Sequence, residues 1–176
     1  MRMVAGLCVS TLVLVCGSAW GAEAGPTDPQ IAAIVVTANQ VDIDAGTLAQ
    51  SATSSKTVGD FARLMVTDHT GVNKAATELV QKLKVTPEEN PTSAGLKKGG
   101  EENLAKLKGL TGTDFDRAYV DHEVAYHVTV LDALDKTLIP SAKNAELKAL
   151  LVKVRPAFAA HLAHAKKLQS ELASAK

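Results

Sequence analysis

Five histidines, His69, His122, His127, His161 and His164, are the residues of this chain best suited to chemistry. An imidazole can carry a proton or ligate a transition metal near neutral pH. A helix turns ~100° per residue, so projection shows which apolar side chains share a face with each of them. His69 falls in the middle of a stripe that includes Val58, Ala62, Met65, Val72, Ala76 and Val80. His127 is central among Val120, Val124, Leu131, Leu134 and Leu138, and His161 among Leu147, Leu150, Val154, Phe158 and Leu168. These three are expected to face a core. His122 projects ~140° from His127, toward solvent, and His164 lies ~60° off its stripe, which suits either the rim or a ligand position.

No histidine lies between residues 28 and 52, but two carboxylates do. Asp42 shares a face with Ile31, Val35, Ala38, Gly46 and Ala49, whereas Asp44 shares one with Thr37, Gln40 and Ser51. Asp42 therefore points inward and Asp44 outward. Glu123, one turn before His127 and ~40° off its stripe, is a further candidate. The inward set is thus Asp42, His69, His127 and His161, with Glu123 and His164 beside it.

A buried ionisable group is costly unless paired, so an inward aspartate among histidines needs a partner. One account is a metal, since imidazole nitrogen and carboxylate oxygen ligate zinc, iron or copper. The other is an Asp–His hydrogen-bonded pair that fixes the core without any ion. The carboxylate-rich diiron pattern asks for Glu-x-x-His on two helices. Here Glu123 and His127 are four apart, and His161 and His164 have no carboxylate between them. Neither a Ser–His–Asp order nor a nucleotide-binding glycine loop is present, so a binding role is expected ahead of an enzymatic one.

The elements that must position these residues are helices. The chain has 176 residues, enough for one domain, and 46% are apolar but only 3% aromatic. An alanine- and leucine-rich composition of that kind suits closely packed helices. Lys plus Arg equals Asp plus Glu at 19 each, leaving no basic excess to meet nucleic acid. Residues 1–24 read as a signal peptide: Arg2, an apolar run from Val4 to Val15, then small residues, with cutting after Gly21, Ala22 or Ala24. A lipoprotein anchor at Cys16 is the alternative, disfavoured by Val15 where a small residue is needed. Export to the periplasm or outside the cell follows. Cys8 and Cys16 would leave with this segment, so residues 25–176 offer no thiol. No later stretch is long and apolar enough to span a bilayer.

Five helices are expected within a single domain over residues 25–176. The first runs over 28–52, opened by an Asp28 cap and Pro29, and the second over 56–84. A shorter third covers 92–108, weakened by Gly95 and the Gly99-Gly100 pair. The fourth covers 113–138, opened by a capping box from Thr113 to Asp116 and stopped by Pro140; the fifth covers 144–173 and should kink before Pro156. A short crossover between two up-down pairs gives an all-α, ferritin-like four-helix bundle. Measured from the inter-helix turns, Asp42, His69 and His127 lie at similar depths, but His161 is offset from His127 by roughly 10 Å.

The segment Phe61-Ala-Arg-Leu-Met-Val-Thr-Asp-His69, the segment Phe115-Asp-Arg-Ala-Tyr-Val120 leading to His127, and the proline before His161 carry a resemblance. Over nearly all of residues 25–176 the chain resembles a family of secreted bacterial proteins of unknown function, often labelled "predicted outer membrane protein". The resemblance implies a ferritin-like fold and an envelope location, and it makes His69, His127 and His161 the motif histidines. Asp42 stands where it would place a glutamate. It implies no activity, and the alternating strands of a transmembrane barrel are absent. The leading expectation is a metal-binding bundle for storage, sequestration or stress protection. The alternative is a non-catalytic envelope stress or interaction protein with structural core histidines.

Overall fold

In the computed structural model, residues 25–174 are described, and the expected signal segment lies outside them. Helix α1 (Asp28–Ala52) opens with a capping box on Thr27, whose hydroxyl accepts from the Gln30 backbone while the Gln30 side chain accepts from Thr27. The cap is therefore one residue earlier than expected. Asp28 is used elsewhere: its carboxylate accepts the backbone N–H groups of Lys143 and Asn144 at 2.9 Å, tying the start of α1 to a turn over 100 residues away. Helix α2 (Lys56–Leu83) is capped by Ser55, and α3 (Pro91–Lys108) by Asn90.

Helix α4 (Gly112–Ala133) departs from expectation at both ends. Its cap position is Thr111, no side chain caps it, and the chain enters through Gly112 at φ 56°, a left-handed angle that a missing Cβ permits. The capping box at Thr113 does not form because Asp116 turns inward and accepts the Thr53 hydroxyl, pinning the α1–α2 turn to α4. At the other end Pro140 does not stop the helix at Leu138. The chain widens into a π turn over Leu134–Leu138 and continues as α5 (Ile139–Ser141), so the proline sits where its missing N–H costs nothing. Helix α6 (Ala145–Ser174) follows, its first turn held by the Asn144 side chain, and it runs on through Pro156.

Helices α1 and α2, joined by three residues, pack along their length; α4 and α6 form a second pair; and α3 lies across α1 and touches α4. Two glycines permit the closest approaches. A Cβ on Gly46 would lie 3.0 Å from the Ala62 carbonyl on α2, and one on Gly100 only 2.8 Å from Val41. Gly100 thus lets α3 seat on α1, whatever it costs in helix propensity.

The apolar core is split into two groups. One holds Ala45, Phe61, Met65, Phe115, Tyr119 and Ala165; the other holds Ile31, Val35, Ala76, Leu134, Leu151 and Phe158. On each long helix an inward polar residue falls between the two: Asp42, His69, Glu123 with His127, and His161. They form a polar layer across the middle of the bundle. The depth of His161 is resolved by the π turn and α5, which lengthen the fourth helical stretch. His127 then precedes the turn by about 14 residues and His161 follows it by about 16, an offset of ~3 Å rather than 10. Among the described residues no helix is long and apolar enough to cross a membrane.

Candidate metal centre

Four helices deliver the five residues of this layer, and none of Asp42, His69, Glu123, His127 and His161 is more than 3% exposed. The three imidazoles form a nearly equilateral triangle, with ring centres 5.6 Å apart for His69–His127, 5.3 Å for His69–His161 and 5.5 Å for His127–His161. One ring nitrogen from each lies within 4.8 Å of the other two, and ligand atoms of Asp42, Glu123 and His127 satisfy the same condition. The carboxyls face the rings: Asp42 Oδ2 is 3.5 Å from His69 Nε2, and Glu123 Oε2 is 3.5 Å from His127 Nδ1.

The outer nitrogen of every ring has a partner. His69 Nδ1 meets Asn39 Oδ1 at 2.7 Å, and the Asn39 amide donates to the Val35 carbonyl at 2.8 Å, which fixes the oxygen as the acceptor. His127 Nδ1 is 3.0 Å from the Glu123 main-chain carbonyl, and His161 Nε2 is 2.8 Å from Asp68 Oδ2. In each case the partner is an acceptor, so the outer nitrogen carries the hydrogen and the inner one presents a bare lone pair. Those inner atoms, His69 Nε2, His127 Nε2 and His161 Nδ1, are buried and have no hydrogen-bond partner. Asp42 Oδ1, both Glu123 oxygens and the Tyr119 hydroxyl are in the same position. Unpartnered buried acceptors cost about 1–3 kcal/mol each, so a cluster of them calls for a cation or protons.

Electrostatics separates the two kinds of group. Burial, reinforced by the neighbouring imidazoles, drives His69 down to about 2 and His127 down to about 4. These two rings are thus neutral at physiological pH, as metal ligands must be, and burial lowers His161 as well against the opposing pull of Asp68. Burial pushes Asp42 up to about 7, and it lifts Glu123 well above the carboxylate range with help from the facing Asp42. The metal-free protein therefore keeps protons on this carboxyl pair that a bound cation would expel. The sign follows: affinity for a divalent ion should rise with pH by about tenfold per unit for each proton released, less steeply once Asp42 is ionised near pH 7 and only the Glu123 proton is left to expel. Titrations of Zn²⁺ binding at pH 5.5, 6.5 and 7.5 check this, and equal affinities at all three would contradict it.

Asp42, His69 and His127, expected at similar depths, lie in one layer; His161, expected to be offset, lies there too, and Glu123 joins them. His164 does not: it is exposed, its ring edge against Phe61 at 5.0 Å. His122, expected in solvent, is half-buried and stacks on Tyr126 at 5.5 Å, because α3 folds over that face of α4. Three residues escaped the sequence reading. Asn39 lies one turn before Asp42, Asp68 is the neighbour of His69 within the quoted motif, and Tyr119 lies one turn before Glu123. Spacing of three or four from an identified residue was the signal for the first and last.

Fold and site together define a class: an all-helical domain whose core holds a buried histidine–carboxylate cluster able to hold a metal ion. Residues 17–168 match the domain of unknown function DUF4142, and the chain belongs to that family. Neither the curated proteins nor the solved structures compared with it contain a match.

Proposed function

We propose that this protein binds one divalent transition-metal ion through His69, His127 and His161, with Asp42 and Glu123 as its counter-charges. Three inward lone pairs, each enforced by an outer hydrogen bond and each lacking a partner, carry the reading. A structural histidine cluster would use its inner nitrogens in hydrogen bonds to protein donors, and these make none, the nearest group being the Asp42 carboxyl 3.5 Å from His69 Nε2. His127 belongs to both candidate ligand groups, which sets Asp42 and Glu123 beside the three imidazoles. Charge agrees: two ionised carboxylates neutralise a divalent cation surrounded by neutral imidazoles. The absence of thiolate among the five groups suits zinc, iron, manganese or cobalt better than cuprous copper.

Complete burial favours holding an ion over turning over a substrate, in line with storage, sequestration or protection against metal stress. We place this centre in a ferritin-like bundle that is exported to the periplasm or beyond, on the strength of the order of helices and the signal-like residues 1–24. Elemental analysis of the natively purified protein is the direct test. About one transition-metal ion per chain is expected, and none, both as purified and after Zn²⁺, Fe²⁺ or Co²⁺ loading, would end the proposal.

A further inference from the structure

An ion held by the three imidazoles must cross the protein to reach them, since no residue of the cluster is more than 3% exposed. Two of the outer hydrogen bonds lead only inward. Asn39 is 2% exposed and passes to the Val35 carbonyl, and His127 ends on a main-chain oxygen of its own helix. The third differs. Asp68 accepts from His161 at 2.8 Å, and the Asp68 side chain is 38% exposed against 3% for His161. Among the described residues, this is the one hydrogen bond from the five clustered side chains to a side chain that reaches water.

His161 is packed inside the bundle against the rings of His69, His127 and Phe158. Its neighbours on the outward side of α6 are Ala157, Ala160 and Ala163, all exposed and small. Pro156, just over one turn earlier, withholds a helix hydrogen bond, and α2 meets α6 over a shorter stretch than it meets α1. The ring therefore spans the wall of the bundle, one nitrogen facing the interior and the other a surface carboxylate.

Resting on the metal reading above, we propose that Asp68 is the docking point for the incoming divalent cation, and that His161 is the interior ligand to which it delivers the ion. The Asp68 carboxylate lies 2.8 Å from the outer nitrogen of His161, and carboxylate oxygen is a good ligand for the same ions that the interior suits. An exposed negative charge also raises the local concentration of cations, an effect that salt screens. Asp68 in this role acts on rates, whereas a residue that only orients His161 acts on affinity.

The test uses the full metal-free protein and Co²⁺ alone, following the visible absorption of the bound ion by stopped flow. Asp68→Asn, whose amide oxygen still accepts from His161, should slow uptake about tenfold at low salt and slow release into excess chelator as well. Raising salt should slow the wild type and barely affect Asp68→Asn, and Asp68→Glu should restore the rate. Unchanged uptake by Asp68→Asn would overturn the proposal, and so would weaker binding at an unchanged uptake rate, which marks Asp68 as an orienting residue alone. Failure of the wild type to take up Co²⁺, Zn²⁺ or Fe²⁺ would instead bring down the metal reading itself. Circular dichroism confirms that each variant is folded before its rates are compared.

Discussion

Saturating the metal-free protein with Zn²⁺ should raise its melting temperature by about 10 °C, and His69→Ala/His127→Ala should abolish the rise. A ligand that binds only the native state stabilises it by about 4 kcal/mol at a thousandfold excess over its dissociation constant. For a domain of this size each kcal/mol moves the midpoint by about 2–4 °C. The native site is preformed, with ring centres 5.3–5.6 Å apart and tautomers fixed, whereas the unfolded chain brings no such triangle together. Removing two imidazoles leaves cavities, so the double variant will melt lower whether or not ions bind. The informative quantity is the difference between loaded and unloaded scans of each protein. A shift in the variant as large as in the wild type would place the ion somewhere else.

Glu123→Gln should weaken metal binding about 100- to 3000-fold at pH 8 while changing metal-free stability by less than about 1 kcal/mol. The asymmetry comes from the protonation state. Glu123 is fully buried and holds its proton well above the usual carboxylate range, so the amide is nearly isosteric with the form already present in the metal-free protein. With metal bound, the glutamate is ionised and cancels one of the two positive charges. The glutamine variant leaves a net buried charge, a defect that costs about 3–5 kcal/mol when a buried pair is broken. At 1.4 kcal/mol per decade that is two to three and a half decades in affinity. Asp42→Asn should act in the same direction. Competition against a chromophoric chelator measures the affinity, and urea unfolding of the metal-free forms measures the stability. Equal affinities for Glu123→Gln and the wild type would remove Glu123 from the centre.

Much of this was legible in the sequence. Helix periodicity put His69, His127 and His161 on inward faces, and the same projection found Asp42 where a search for histidines alone would not have. Boundaries of α1, α2 and α3 were read to within a residue or so, because caps and breakers act locally. Errors arose where a residue marked as a local signal was recruited over a long distance. Asp28 and Asp116 both resemble helix openers, yet one holds the turn before α6 and the other the end of α1. Local competition between side-chain partners cannot be decided from neighbours in sequence.

His161 shows the same division. Its face was evident from spacing, but its depth depended on whether Pro140 ended a helix or sat inside one, and the π turn ahead of it supplied the missing residues. His122 was placed in solvent by its angle on α4 and was half-covered by α3, which seats there because Gly100 lacks a Cβ. The sequence by itself determined that the domain is helical and which face of each helix carries polar groups, since both follow from a fixed ~100° step along one chain. Only the tertiary structure decided that five such groups lie at one level, that three outer hydrogen bonds turn their lone pairs toward one point, and that Asp68 connects that point to water. Those facts depend on how far one helix slides past another, which is set by packing between residues remote in the chain.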